Sequence, residues 1–349
     1  MVSLAGRALG VAAGLLLDRA LGEPPDAWHP VAWFGTAMGR VERALYADAR
    51  LPGAGYALVG AGLGVGSGLV LQGAGRLLDG GRRAGGGGAG ATAAVATAVA
   101  VACAGRLLRH TSRRIEDRLH AGDLEGAREL LPWLVGRDPS GLDESGVAAA
   151  VVESLAENTV DAVVAPVFWG LVAGAPGVLV HRAVNTMDAM VGHRSERYAR
   201  FGTAAARLDD AMAWVPARVF ALVVAAACSA EHRSVGRGLA VLRVVRRDAP
   251  AHPSPNAGVA ESAAAAALGV ELGGPLRYGS RLEERPRLGD GPRPTAATIA
   301  EARGLVDRVE KILVVGALAI AWAGSNQPDA LGGVGGWLTS HGIRSRVGR

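Results

Sequence analysis

The stretch that decides the fold is Leu51-Pro-Gly-Ala-Gly-Tyr-Ala-Leu-Val-Gly-Ala-Gly-Leu-Gly-Val-Gly-Ser-Gly-Leu-Val-Leu-Gln-Gly-Ala-Gly75, 25 residues without a charged side chain. About 20 predominantly apolar residues suffice for a helix to cross the ~30 Å hydrocarbon core of a bilayer. In water, glycines as dense as Gly60, Gly62, Gly64, Gly66 and Gly68 would each cost a helix about 1 kcal/mol, whereas in lipid small residues let neighbouring helices approach closely. The stretch therefore predicts a membrane helix that packs through glycine.

The rest of the chain agrees. Of 349 residues, 50% are apolar and only 20% charged, and the mean hydropathy is +0.23. That apolar excess is more than a soluble core of this size absorbs, and it excludes disorder and collagen. Further candidate spans are Gly85 to Gly105, Ala162 to Val180, Ala211 to Ala230, which is interrupted by Pro216 and Arg218, and Ile312 to Pro328. Ala8 to Leu17 is short, either a marginal span or an interfacial helix, and lacks the cleavage site of a signal peptide. The glycine run from Gly85 to Gly90 reads equally well as a linker. The expectation is an all-α, polytopic integral membrane bundle of about four to six spanning or re-entrant segments, with residues 1–349 as one domain.

Polar segments 106–161, 181–210 and 231–311 carry the chemistry. If six segments cross, 106–161 and 231–311 share one face and 181–210 lies on the other; the first face holds more of the basic residues, which marks it as cytoplasmic. The +5 formal charge rests almost wholly on arginine, with Lys311 the sole lysine. Those arginines are dispersed and aromatics are 4%, which argues against nucleic acid. Cys103 and Cys228 sit in apolar runs with no CxxC spacing, so neither a disulfide framework nor a zinc site is expected. No P-loop, dinucleotide fingerprint, HExxH or GxSxG occurs.

Three constellations stand out. Glu153, Glu157 and Asp161 recur every four residues on one helical face before an apolar run; like charges so placed demand a cation, either arginines such as Arg113 and Arg114 or a hard divalent ion, with Asn158 beside them. The run from Asn185 through Asp188, His193, Arg194 and Arg197 to Asp209 and Asp210, with Arg218 beyond, follows the proline-broken segment of Pro166 and Pro176. Broken helices at membrane depth are tolerated where they line a cavity, although an ordinary interfacial loop would look the same. Asp248-Ala-Pro-Ala-His252-Pro-Ser254-Pro-Asn256-Ala-Gly258 reads as a stiff, polar, irregular loop suited either to ligand placement or to inert linkage. Near the start, Asp18, Gly22-Glu-Pro-Pro25 and His29-Pro30 read as a rigid turn with a satisfied histidine.

The runs ESLAENTVDAVVAPVFW (153–169), NTMDAMVGHRSERYARFGTAAARLDDAMAWVPAR (185–218) and DAPAHPSPNAG (248–258), with LLLDRALGEPP near the start and LGVELGG (268–274), together resemble the CobD/CbiB family of membrane-bound adenosylcobinamide-phosphate synthases. The resemblance covers most of the chain from about Asp18 onward. It implies a late step of cobalamin assembly at the bacterial inner membrane: a propionate of adenosylcobyric acid joined to (R)-1-amino-2-propanol or its O-phosphate, with ATP and Mg²⁺ consumed or required. On that reading Glu153, Glu157 and Asp161 are metal ligands and His252, Asp209 and Asp210 are catalytic. Asn185, Asp188, Arg194, Arg197, Arg218, Ser254 and Asn256 then bind substrate. Partners would be the corrinoid, the amine, the bilayer and other late-pathway membrane enzymes. Two rival readings are a non-enzymatic AmpE-like sensor and a small-molecule transporter. One active site requires the three motifs to meet, so Ala162 to Val180 or Ala211 to Ala230 is expected to be re-entrant or broken, or else the site lies at membrane depth.

Overall fold

The computed structural model describes residues 2–80, 88–136, 138–193, 195–278 and 281–326. Among the described residues there are twelve α-helices: α1 (Leu4–Leu21), α2 (Pro30–Leu45), α3 (Arg50–Leu78), α4 (Ala89–Ala102), α5 (Gly105–His120), α6 (Leu124–Leu130), α7 (Glu144–Thr159), α8 (Ala165–Met187), α9 (Thr203–Glu231), α10 (Val235–Asp248), α11 (Ala257–Leu268) and α12 (Ala296–Ser325). The one departure from an all-α chain among the described residues is an antiparallel hairpin, β1 (Leu272–Tyr278) and β2 (Arg281–Leu288), inside the segment expected to be helix and loop. Residues 85–87 of the glycine run and the tail beyond Asn326 lie outside the described residues.

Among the described residues, four helical stretches are long and apolar enough to cross a membrane: Arg50–Leu78, Ala89–His120, Glu144–Gly192 and Thr203–Glu231. α3 shows what kind of solvent surrounds them. Its leucines point out, with Leu58, Leu63, Leu69 and Leu77 all exposed, while Gly60, Gly64 and Gly68 are buried. A Cβ on Gly64 would sit 2.8 Å from the Cα of Val180, and one on Gly68 would overlap the backbone of Pro176. Leucine outside and glycine inside is the arrangement of a helix solvated by lipid. The same close approach joins α1 to α4, where Gly14 faces Val99.

The chain from Glu144 to Gly192 does not cross as one rod. At Gly174 the backbone leaves the helical region (φ 67°, ψ −152°), a conformation open mainly to glycine, and Pro176 follows. The two arms then run back side by side, for Asn185 Nδ2 donates to Asp161 Oδ2 at 3.0 Å. The segment is thus a helical hairpin with its apex at Gly174. This overturns the six-crossing arrangement, which put 181–210 opposite 106–161 and 231–311, and agrees with the expectation of a broken Ala162 to Val180. α9, by contrast, continues through Pro216.

Beside the lipid-facing layer lies a second layer, built by α5, α6, α7, α11, the hairpin strands and the start of α12, whose core holds Ile115, Leu131, Val151, Leu272, Leu288 and Ile299. α7 is buried continuously from Val147 to Ala156, Glu153 included. It starts at Asp143, whose Oδ1 accepts the Gly146 N–H at 2.7 Å. Charge marks the boundary between the layers: Arg109 on α5 bonds Glu310 on α12, and Arg19 on α1 bonds Asp307 at 2.9 Å. Asp18 accepts the Arg106 N–H at 3.2 Å. His29 caps α2 by accepting the Val31 N–H at 3.1 Å, as its satisfied reading anticipated.

Candidate functional site

Asp161 and Asp188 each sit in a single π-helical turn, Val160–Val164 and Asp188–Gly192, at the open end of the two hairpin arms. Such widened turns re-aim side chains and recur at functional sites. Between them, Asn185 donates to Asp161 Oδ2 and, at 3.4 Å, to Asp209 Oδ1 on α9. A cavity of about 1250 Å³ opens here, lined by Glu157, Asn158, Asp161, Asp188, His193, Asp209, Asp210, His252, Ser254, Asn256 and Arg285. It exceeds the ~300–1,000 Å³ usual for drug-sized ligands. The three sequence constellations therefore meet in one place.

The loop before α11 is fastened to α9. Asn256 Nδ2 donates to the Asp210 carbonyl at 2.8 Å, and its Oδ1 accepts from Arg218 at 2.8 Å. Arg218 also donates to the Trp214 carbonyl at 3.0 Å and lies 4.3 Å from that indole's centroid. Ser254 Oγ accepts the Ala257 N–H at 3.1 Å and so starts α11, which places Ala257 and Gly258 in a helix rather than in the expected irregular loop. The loop proper is short, His252 to Asn256.

His252 is buried, and its Nδ1 accepts the Ser254 N–H at 3.1 Å. Nδ1 also lies 3.2 Å from the Ser254 carbonyl, to which it donates in the other tautomer, and Nε2 faces Glu261 Oε2 at 3.8 Å. Burial is the main cause that holds this imidazole below the usual histidine pKa. Burial, then the neighbouring carboxylates Glu157 and Glu153, push the Glu261 carboxyl well above the usual range. Both ring nitrogens of His252 thus point at protein, a poor posture for the general base suggested by its prolines.

Other expected site residues have different work. Glu153 Oε1 accepts the Gly273 N–H at 2.9 Å, and the side chain lines a second, smaller cavity of about 450 Å³. Arg197 is held by Glu42 at 3.1 Å and lies 4.0 Å from the Tyr46 ring centroid, while the Tyr198 hydroxyl donates to the same Glu42 at 2.8 Å. It ties α2 to the loop after the hairpin and does not line the large cavity. Arg194 lies outside the described residues.

Among the described residues no three His, Cys, Asp or Glu side chains are grouped to hold a metal ion. The set Glu153, Glu157 and Asp161 is therefore not gathered as such. Asp161 and Asp209 are brought together by Asn185, and two hard carboxylates with room for phosphate oxygens fit what Mg²⁺ takes from a protein. Sequence reading missed Glu261 and Arg285. Glu261 had a signal, being the lone charge in the Ala-rich run of α11; Arg285 had none, since the strand that carries it lies among many arginines.

A family model described as CobD/Cbib protein matches residues 11–306, which include every residue of the cavity. The chain is 45% identical over 296 residues to the cobalamin biosynthesis protein CobD of Mycobacterium tuberculosis (strain ATCC 25618 / H37Rv), covering 85% of this chain and 90% of that protein. It is 42% identical over 310 residues to the protein of the same name from Chromobacterium violaceum, covering 86% and 92%. With that of Rhodobacter capsulatus the identity is 47% over 208 residues, covering 59% and 64%. No solved structure matches. The gathered motifs and the extent of these matches lead to one statement: this chain belongs to the CobD/CbiB family.

Proposed function

We propose that this chain serves cobalamin biosynthesis by forming an amide, joining a corrinoid propionate to (R)-1-amino-2-propanol or its O-phosphate at the cost of ATP. The observation that carries the reading is the convergence of Asp161 and Asp209, bridged by Asn185, on one large cavity. A carboxylate and an ammonium do not condense in water, so the carboxyl oxygen must first be activated, as by phosphorylation with ADP leaving. The amine nitrogen then attacks the acyl carbon, gives up a proton and expels phosphate.

Asp161 and Asp209 would hold Mg²⁺, whose contribution is to neutralise phosphoryl charge. Asn185 fixes both carboxylates, so that neither must reorganise during the reaction. Asp188 and Asp210, which lie close enough to repel one another, attract the ammonium group into the cavity and receive its proton. Asn256 lines the cavity beside Asp210, and Arg218 holds it from behind. The cavity's open side admits a corrinoid, which is too large for an ordinary pocket, and the lipid-facing helices anchor the reaction at the bilayer, for which the bacterial inner membrane is the proposed location.

A sensor with no catalytic task would have no need of five carboxylates around one cavity. A transporter would need an outlet at the far side, where the hairpin instead closes at Gly174. The test is purified protein in detergent with adenosylcobyric acid, each amine in turn and ATP/Mg²⁺, read by mass spectrometry. The amide product is expected with wild type and is expected to vanish in Asp161→Asn; a full yield from Asp161→Asn removes the Mg²⁺ assignment, and no product from wild type removes the reading.

A further inference from the structure

The lining of the large cavity carries both signs of charge. Glu157, Asp161, Asp188, Asp209 and Asp210 come from the hairpin arms and α9, and His252 and Arg285 from the 252–256 loop and β2. Among the described residues that line it, Arg285 is the one arginine or lysine. A phosphoryl group brings two or more negative charges, and five carboxylates repel it at close range unless a cation stands opposite.

The route by which Arg285 reaches the cavity is built into the hairpin. Gly273 pairs with Arg287 and Gly274 with Arg285, so Pro286 is an extra residue on β2. In a regular strand, residues two apart face the same side. The bulge at Pro286 breaks that rule: Arg285 enters the large cavity, while Arg287 lines the small one and pairs with Glu271 at 2.5 Å. Bulges of this kind re-aim side chains beside active sites. The hairpin's base is fastened on three sides, by Glu153 to the Gly273 N–H at 2.9 Å, by Arg293 to the Gly273 carbonyl at 2.8 Å, and by Asp248 to the Gly289 N–H at 2.8 Å. Leu272 and Leu288 pair across the base and are fully buried.

We propose that Arg285 binds the phosphoryl group handled in this cavity, an assignment that rests on the amide-forming reading and names the residue that holds its anion. Two sources share that chemistry, the nucleotide and the O-phosphate of the amine. A guanidinium offers paired N–H donors matched to phosphate oxygens, which an ammonium replaces only in charge.

The test uses the full chain in detergent or nanodiscs as wild type, Arg285→Ala, Arg285→Lys and Arg287→Ala. Equilibrium binding is measured for ATP/Mg²⁺, for inorganic phosphate and for (R)-1-amino-2-propanol with and without its O-phosphate, beside KM and kcat for amide formation. Arg285→Ala is expected to weaken one phosphoryl ligand by about 10- to 100-fold, with partial recovery in Arg285→Lys. Arg287→Ala and binding of the free amine are expected to be unchanged, and the ligand whose affinity falls identifies the source. Should Arg285→Ala bind every phosphoryl ligand as wild type does, the assignment is overturned, as it is if Arg287→Ala loses as much. Wild type that binds a phosphoryl ligand through Arg285 but yields no amide would sink the reaction and leave the binding assignment standing. Thermal melting of each variant separates a collapsed hairpin from a lost contact; if Arg285→Ala melts early, Arg285→Lys decides, and wild-type affinity and KM in that variant overturn the bidentate assignment.

Discussion

Asp161 and Asp209 share one amide: Asn185 Nδ2 lies 3.0 Å from the first and 3.4 Å from the second. The three residues come from the first arm of the hairpin, its second arm and α9, so one side chain holds three elements and two carboxylates in register. Asn185→Ala is expected to lower amide formation by about 10- to 100-fold, the usual effect of removing a group that orients metal ligands. Asn185→Asp is expected to be worse, because it adds a charge and removes the donor. Steady-state rates over a range of Mg²⁺ concentrations check this; for Asn185→Ala, high Mg²⁺ is expected to recover part of the loss.

Gly174 is where the hairpin turns. Its φ of 67° makes an alanine there strained by about 1–2 kcal/mol, although the added Cβ would meet nothing nearer than Arg7 Cδ at 3.7 Å. Gly68→Ala is expected to cost at least as much for a different reason, overlap with Pro176. Gly66→Ala, whose Cβ would face open space, is expected to be neutral or mildly stabilising. Detergent denaturation curves for the three variants separate strain, collision and propensity.

Arg109 stands between Glu310 and Asp18, and both carboxylates are almost wholly buried. Arg109→Ala leaves buried Asp18 without its cation and Glu310 with only the longer Arg19 contact at 3.5 Å, for which a loss of about 3–5 kcal/mol is expected. Arg118→Ala, which breaks an exposed pair with Asp123, is expected to cost less than about 1 kcal/mol. Thermal melting of the pair of variants makes the comparison.

Acid and alkali act on the His252–Glu261 pair in opposite senses. Burial lowers the folded pKa of His252, so the unfolded chain takes a proton first as pH falls through about 6.5, and stability drops on acidification. Glu261 is raised by burial and by Glu157 and Glu153; its unfolded carboxyl ionises near about 4.3, so its contribution is complete below that pH and is lost as pH climbs toward the folded value. Melting temperatures measured against pH are expected to flatten on the acid side in His252→Gln and on the rising side in Glu261→Gln.

How much of this was legible in the sequence depends on range. The lipid-facing helix α3 announced itself, because hydropathy and glycine spacing are local and its environment is lipid throughout. The motif residues were legible as a set, since charged side chains beside apolar runs need a shared purpose. What the sequence hid was direction. The need for one site led to a re-entrant or broken segment, yet nothing in the sequence chose Ala162 to Val180 over Ala211 to Ala230 or marked Gly174 as the residue with a positive φ. The roles of Arg197 and Glu153 were hidden too, because their partners, Glu42 and Gly273, are distant in the chain. The strand that delivers Arg285 was missed because its alternation is broken by Pro286, the residue that redirects it.

The most direct test of the single cavity is labelling from either side of sealed vesicles. Cys103 and Cys228 are both buried, so a membrane-impermeant maleimide should meet little background. Ala189 from the second hairpin arm, Ala206 from α9 and Ala251 from the loop before α11 all line the cavity. Ala189→Cys, Ala206→Cys and Ala251→Cys are each predicted to react from the same side. Reaction of Ala189→Cys solely from the side opposite Ala251→Cys would contradict the returning hairpin and, with it, the shared site.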